Sequence, residues 1–292
     1  MKNNFNKGLI LTSLGSFWWG FIGVIYFESV SFIGHTELVV HRCLWTAIML
    51  VFTTTFLSKW QIFLKEIKDK KKLIALFVSG FLIFVNWSIW IYAVASERII
   101  DASFGYFIMP IISVLLGYIF FKEKLNKKRI FSIILVIISI LYLLVVSFKS
   151  LPWVGLIVAL SWGFYNLIRK KINIDTDIGL LIESLYILPF ALIAFHLIAS
   201  NGYNDFELSN PPMMLFIFLA GPMTVIPLFL YVRGVELCGL GPTGMIFYIT
   251  PTLQFLLGYF YYDEPFSLTK LVSFIFIWTA VIIYLKDLYE TN

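Results

Sequence analysis

Glu37, His41, Arg42 and Trp45 stand close together in GHTELVVHRCLW, residues 34–45, inside an otherwise apolar run. Glu37 and His41 are four positions apart, which stacks them on one face of a helix that Trp45 extends, whereas Arg42 points to a neighbouring face. At the middle of a membrane helix an arginine costs roughly 2.5–3.5 kcal/mol even on permissive scales, so Arg42 needs a partner or an aqueous cavity. Two readings stay open. Arg42 is a cavity charge that attracts an anionic or polar substrate group, or it is a structural pair or an arginine reaching up to the outer interface.

A second acid, Glu183 in LLIESLYILPF, lies in another apolar run, at the place where an inverted copy of Glu37 would fall. Desolvation favours the protonated form of a carboxylate in a membrane, which suits proton coupling. A gating role, or a structural one in which Glu183 caps a neighbouring helix or pairs with Arg169, fits equally. Asn86-Trp87, Tyr106 and Gln254 are further polar or amphipathic groups at membrane depth, available to hydrogen-bond another helix or to contact a substrate. Pro110 and Pro251 each free a backbone carbonyl one turn earlier, which permits bending where a span lines a cavity.

These residues need helices to position them, and composition says which kind. The chain has 292 residues, 60% of them hydrophobic and 13% charged, with a mean hydropathy of +0.90. Long apolar runs with few charges are membrane-spanning helices, because only an internally hydrogen-bonded helix hides its backbone in lipid. The pattern predicts ten spans, at about 8–27, 36–57, 73–95, 102–121, 130–148, 153–168, 178–199, 212–232, 242–262 and 268–285. The connections between them are too short for a separate soluble domain.

Basic residues set the orientation. Lys59, Lys65, Lys68 and Lys70 to Lys72 fill the second gap, Lys122, Lys124, Lys127, Lys128 and Arg129 the fourth, and Arg169 to Lys171 the sixth. With Lys2, Lys7 and Lys286, these gaps belong on the cytoplasmic side, which puts both termini inside. The opposite gaps hold Arg98, Lys149 and Lys270 beside Glu28, Glu97, Asp205, Glu207, Asp263 and Glu264.

One span occurs twice. DASFGYFIMPIISVLLGYIFFKE (101–123) and PTGMIFYITPTLQFLLGYFYYDE (242–264) align Pro110 with Pro251, Leu116-Gly117-Tyr118 with Leu257-Gly258-Tyr259, and Glu123 with Glu264. Trp19-Gly20-Phe21 and Trp162-Gly163-Phe164 repeat in the same way. Two five-helix halves, 1–148 and 149–292, are therefore expected. Five is odd, so the second half enters the membrane inverted, and such repeats enclose a site near the midplane. The first four helices of each half should line that site, with the fifth and tenth as outer braces.

Other chemistries find little support. GLGPTG at 239–244 fits a glycine-rich nucleotide pattern, but no strand precedes it and a proline interrupts it. There is no Walker loop to bind ATP, and His35, His41 and His196 lack metal-ligand spacing, so no catalytic residue, metal or cofactor is expected. The net charge of +5 sits in short gaps rather than in a nucleic-acid-binding patch. Cys43 and Cys238 fall in or beside apolar segments and read as packing thiols. The basic start and apolar run from Gly8 form an uncleaved first span. The alternatives to a transporter are a lipid-modifying membrane enzyme, which would need convergent nucleophile chemistry, and a non-transporting receptor or assembly factor.

Glu37…His41-Arg42…Trp45, Asn86-Trp87, ASFGYF at 102–107, FYNLIRKK at 164–171, Ile182-Glu183 and TPTL at 250–253 together resemble the RarD-type permeases, in the EamA branch of the drug/metabolite transporter superfamily. The resemblance runs over essentially the whole chain. It implies ten helices in inverted five-helix repeats, and permease activity in a bacterial inner membrane. The family label is associated with chloramphenicol sensitivity or resistance, and relatives in the superfamily export amino acids. Lys122-Glu123 and Asp263-Glu264 replace the usual Gly-Glu span endings, and Thr250 stands where glycine is common. The expected partners are a small molecule, the bilayer and a coupling proton, with oligomeric state left open. Arg42, His41, Trp45, Trp19, Asn86, Trp87, Tyr106 and Gln254 are the candidate substrate-binding residues, and Glu37, Glu183, Pro110 and Pro251 the candidate gating or coupling residues.

Overall fold

The structure is a computed structural model that describes residues 2–30, 32–95, 99–147, 153–172, 174–206, 210–261 and 267–291. Glu264, the repeat partner of Glu123, lies outside the described residues, as do Glu97, Arg98, Lys149, Glu207 and Asp263. Every regular element among the described residues is helical. In chain order they are α1 (Lys2–Phe17), a π turn (Trp18–Ile22), α2 (Gly23–Ser29), α3 (His35–Phe56), α4 (Trp60–Glu66), α5 (Lys70–Ala95), α6 (Ile99–Phe121) and α7 (Lys127–Ser147). Then follow α8 (Trp153–Lys171), α9 (Thr176–Ser200), α10 (Pro211–Phe218), α11 (Ala220–Cys238), α12 (Leu240–Ile246), α13 (Ile249–Phe260) and α14 (Leu268–Thr291).

Eight stretches are long and apolar enough to cross a membrane, with α1 through α2 and α10 through α11 each running as one. This is a multi-pass, all-helical membrane protein. Two expected spans fall outside the eight. In α8, Asn166 and the terminal Arg169, Lys170 and Lys171 dilute the apolar run. The ninth expected span is broken at 247–248 into α12 and α13, each too short to cross alone. Pro251 is the local cause: it has no N–H to give Phe247, whose carbonyl accepts from Thr250 at 2.9 Å in a tight turn instead. Pro110, its twin, sits inside the unbroken α6.

The helices pack in a definite set of partners: α1 with α11, α6 with α8, α7 with α14, α5 with α8, α3 with both α9 and α11, and α6 with α12. Small residues make the closest of these approaches possible, as expected where lipid gives no hydrophobic drive for association. A Cβ on Gly105 of α6 would meet the Gly155 carbonyl of α8 at 2.7 Å, and one on Gly15 of α1 would meet the Pro227 carbonyl of α11 at 3.0 Å. The outer surface is apolar, with Phe52, Val145, Phe190 and Ile193 among the exposed side chains, while Asn166, Arg169, Glu183 and Ser79 are buried inside.

α7 and α14 form a pair whose basic ends are tied by charge. Asp287 accepts from Arg129 Nε at 2.8 Å and from Asn126 Nδ2 at 2.7 and 2.6 Å, and Arg129 also reaches the Lys124 carbonyl and the Thr291 hydroxyl. Both charges are largely buried, at 10% and 3% exposure. Removing one member strands the other, so Asp287→Ala should cost about 3 kcal/mol, read as a lower thermal midpoint in detergent. Lys128→Ala, which breaks only the exposed Lys128–Glu290 pair, should leave the midpoint where it was.

Candidate functional site

Between the helices lies a cavity of about 950 Å³. Its mouth carries exposed Glu28, His35 and Lys270, at the end of the bundle opposite the lysine-rich gaps. Its floor is aromatic. Trp19 meets Trp162 edge-on at 5.3 Å, Trp162 lies 5.3 Å from Tyr231, and Phe247 packs edge-on to Tyr231 at 5.4 Å. The π turn places Trp19 there. An extra residue in that turn rotates the ring inward, while Gly20 beside it lets the Thr250 backbone approach to within 2.9 Å of where a Cβ would stand.

Arg42 enters the cavity wall from α3. Its Nε donates to Thr224 Oγ1 of α11 at 3.1 Å, and its guanidinium carbon lies 4.9 Å from the ring centroids of both Phe27 and Trp87. No carboxylate among the described residues pairs with it, and neither Nη has a hydrogen-bond partner there. Arg42 is thus half-buried in the cavity wall and, among the described residues, is not half of an ion pair. Asn86, Trp87, Tyr106, Gln254, Trp19 and Pro251 also line the cavity. Asn86 spends its amide nitrogen on the Val158 carbonyl at 2.8 Å and Ser161 Oγ at 3.0 Å, leaving Oδ1 open.

His41, Trp45 and Glu37 do not reach it. One residue along a helix is about 100° of rotation, and that turns their face from the cavity towards α9 and the segment after it. Glu37 accepts from the backbone N–H groups of Asp205 at 2.9 Å and Phe206 at 3.1 Å. His41 lies 3.4 Å from Glu37 and packs against Phe195 and Phe206; Trp45 packs against Phe206 and Phe218. These residues dock a loop. The expected lining helices also change: α9 contributes nothing to the cavity among the described residues, whereas α14 supplies Lys270 and Phe274 near the mouth.

Glu183 is buried behind Trp87. It accepts from Ser79 Oγ at 2.5 Å and Tyr165 Oη at 3.3 Å, and lies 3.6 Å from Arg169. Arg169 also faces Glu236 at 3.9 Å and donates to the Thr176 carbonyl, while Arg233 pairs with Glu236 at 2.9 Å. Two carboxylates thus converge on one fully buried guanidinium.

The basic end is closed by Glu123. Its carboxylate accepts from the N–H groups of Leu240 at 2.9 Å and Gly241 at 2.8 Å, at the start of α12, and from Lys170 Nζ at 3.0 Å. Gly239, which precedes α12, holds φ +100°, a conformation that favours glycine, and a Cβ there would lie 2.6 Å from Glu123. Pro110 lies just inside this closure, its carbonyl 2.8 Å from where a Cβ on Gly244 would be. The sequence placed Glu123 at a span end without showing its partners. Trp90, Thr224 and Phe247 were missed as lining residues. Phe247 had one usable signal: it aligns with Tyr106 in the repeated span, and the two rings lie tilted to each other with centroids 6.2 Å apart.

A lipid-facing helical bundle enclosing a cavity open at one end, with a guanidinium in its wall that meets no carboxylate among the described residues, is the build of a membrane transporter. The comparisons agree. The model of the EamA-like transporter family matches residues 6–145. The chain is 33% identical to the uncharacterized transporter YojE of Bacillus subtilis over 95% of this chain and 93% of that one. It is 33% identical to protein RarD of Escherichia coli, over 98% of this chain and 96% of that one. A crystal structure shares the fold with a TM-score of 0.69 at 11% identity, covering 96% of this chain and 97% of that one. The protein belongs to the EamA-like transporter family, among its RarD-type members.

If Glu123 holds the basic end shut, its loss should expose what lies beneath. Cys238, the last residue of α11, is 8% exposed. In a Cys43→Ser background, Glu123→Ala should raise the maleimide labelling rate of Cys238 roughly tenfold, the scale of one lost charge-assisted hydrogen bond. An unchanged rate would mean that the closure does not depend on this carboxylate.

Proposed function

We propose that this protein is a secondary permease. It moves a small polar or amphipathic metabolite or drug across the bacterial inner membrane by alternating access, with amino-acid-like and chloramphenicol-like compounds as the first probes. The observation that carries this reading is Arg42, a guanidinium with open Nη groups in a cavity closed at one end only. Trp19, Trp87 and Tyr106 supply the stacking surface around it.

The reading includes ten spans in two inverted halves, 1–148 and 149–292, with both termini cytoplasmic. Helix packing supports it, because the contacts come in pairs related by exchanging the halves. In that scheme α1 with α11 answers to α8 with α5, and α3 with α11 answers to α9 with α5. The contacts of α7 with α14, α3 with α9, and α6 with α12 map onto themselves. Repeat-equivalent residues also meet each other at the cavity floor, Trp19 with Trp162 and Tyr106 with Phe247. Such a two-fold relation lets the closed and open ends exchange roles during transport. A coupling proton has its best seat at Glu183, where two carboxylates share Arg169 and protonation would release the guanidinium.

Uptake of labelled amino acids and chloramphenicol into proteoliposomes, with and without an imposed pH gradient, tests the reading. Saturable flux is expected to fall at least about tenfold in Arg42→Ala, from protein that retains its helical circular dichroism. Any gradient dependence should vanish in Glu183→Gln. Parental flux in folded Arg42→Ala would remove Arg42 from the site.

A further inference from the structure

The charge pattern of the cavity narrows what it can hold, on the reading that the cavity is the substrate site. Among the described residues its lining carries four acidic or basic side chains, Glu28, His35, Arg42 and Lys270. Three of these are exposed at the mouth. Arg42 stands seven residues beyond His35 on α3, about 10 Å deeper at the rise of a helix. Below the mouth, Arg42 is therefore the sole fixed charge among the described lining residues.

We infer that the cavity selects an aryl monoanion, meaning a flat aromatic body with one carboxylate-like group and no ammonium, over the zwitterion of an amino acid with the same ring. The anionic group would take the two open Nη positions of Arg42, which suit a carboxylate in bidentate fashion. The ring has edges and faces to pack on at Trp19, Trp162, Tyr106 and Phe247, which lie 5.3–6.2 Å from one another. An α-ammonium is a different matter. Held next to its own carboxylate, it would stand a few ångströms from the guanidinium, whereas the one acid among the described lining residues, Glu28, is exposed at the mouth.

The aromatic faces do not replace that missing acid. A cation can rest on a ring, but the rings nearest to Arg42, those of Phe27 and Trp87, already carry the Arg42 guanidinium. The other open polar groups are neutral: the Tyr106 hydroxyl, the Gln254 amide and Asn86 Oδ1. They fit a hydroxyl or carbonyl of the solute. Four other carboxylates among the described residues are committed elsewhere, Glu37 to backbone N–H groups, Glu183 and Glu236 to arginines, and Glu123 to α12.

Binding to the full-length protein in detergent separates the classes, with 3-phenylpropionate, phenylalanine and phenethylamine as probes of one ring and three charge states. Quenching of tryptophan fluorescence at pH 7 should show 3-phenylpropionate binding at least about tenfold more tightly than phenylalanine, with phenethylamine giving no saturable signal. Arg42→Gln should bring 3-phenylpropionate down to the level of phenylalanine, and Lys270→Gln at the mouth should preserve the order. Phenylalanine binding as well as 3-phenylpropionate, phenethylamine competing, or no saturation by any probe would overturn the inference in the wild-type protein itself. The permease reading fails separately. A protein that binds 3-phenylpropionate at Arg42 but moves no solute into proteoliposomes keeps this site and loses that function, and Arg42-dependent transport with a preference for phenylalanine does the reverse.

Discussion

The Glu123 carboxylate holds the closed end of the bundle. One side chain at the end of α6 satisfies two N–H groups at the start of α12 and draws in Lys170 from α8. A helix start is where backbone donors lack partners, and near a membrane water is not always there to supply one. A carboxylate meets that need with two oxygens and a favourable interaction with the helix dipole. Above this closure the aromatic floor of Trp19, Trp162, Tyr231 and Phe247 can pack dry, and above the floor the cavity can open. Without the closure, the floor would face solvent from both sides.

The same accounting explains how the polar residues are divided. In hydrocarbon an unanswered polar group is expensive, so nearly every buried charge here is met by backbone or by an opposite charge. Glu37 takes two backbone N–H groups, Asp287 takes Arg129 and Asn126, and Glu183 takes Ser79, Tyr165 and Arg169. Arg42 is different: one neutral hydroxyl and two ring faces hold it, and it lines the cavity with no partner for its Nη groups among the described residues. A position that leaves the donors of a guanidinium open in a membrane protein is one where a solute or water completes the set. What remains unpaired among the described residues therefore sets Arg42 apart, even though Glu37, His41 and Arg42 stand together in the chain.

The two prolines, aligned in the repeated span of the sequence, sit in different local structure. Pro110 is carried within a continuous α6, and Pro251 comes just after a break between α12 and α13. Both copies line the cavity, α6 with Tyr106, Phe107 and Met109 and the broken copy with Thr250, Pro251 and Gln254; irregular backbone is tolerated there because it does not face lipid. The intact copy meets the basic-end closure through the Pro110 carbonyl and Gly244.

Much of this was legible in the sequence. Apolar runs identified the eight helices long and apolar enough to cross a membrane, and the cost of an arginine inside an apolar run required a cavity or a partner around Arg42. Those conclusions depend on composition and local energy, which a chain carries in every conformation. Helical spacing also put Glu37 and His41 on one face with Arg42 beside it. It could not say which face would meet a neighbour, because periodicity defines faces and not their surroundings. Only the packing of α3 between α9 and α11 assigned His41, Trp45 and Glu37 to a docked loop and Arg42 to the cavity. Likewise, the pairing of Glu123 with Leu240 and Gly241, more than a hundred residues away, follows from the approach of α6 to α12. Contacts of that range are set by how helices pack, and local sequence carries no record of them.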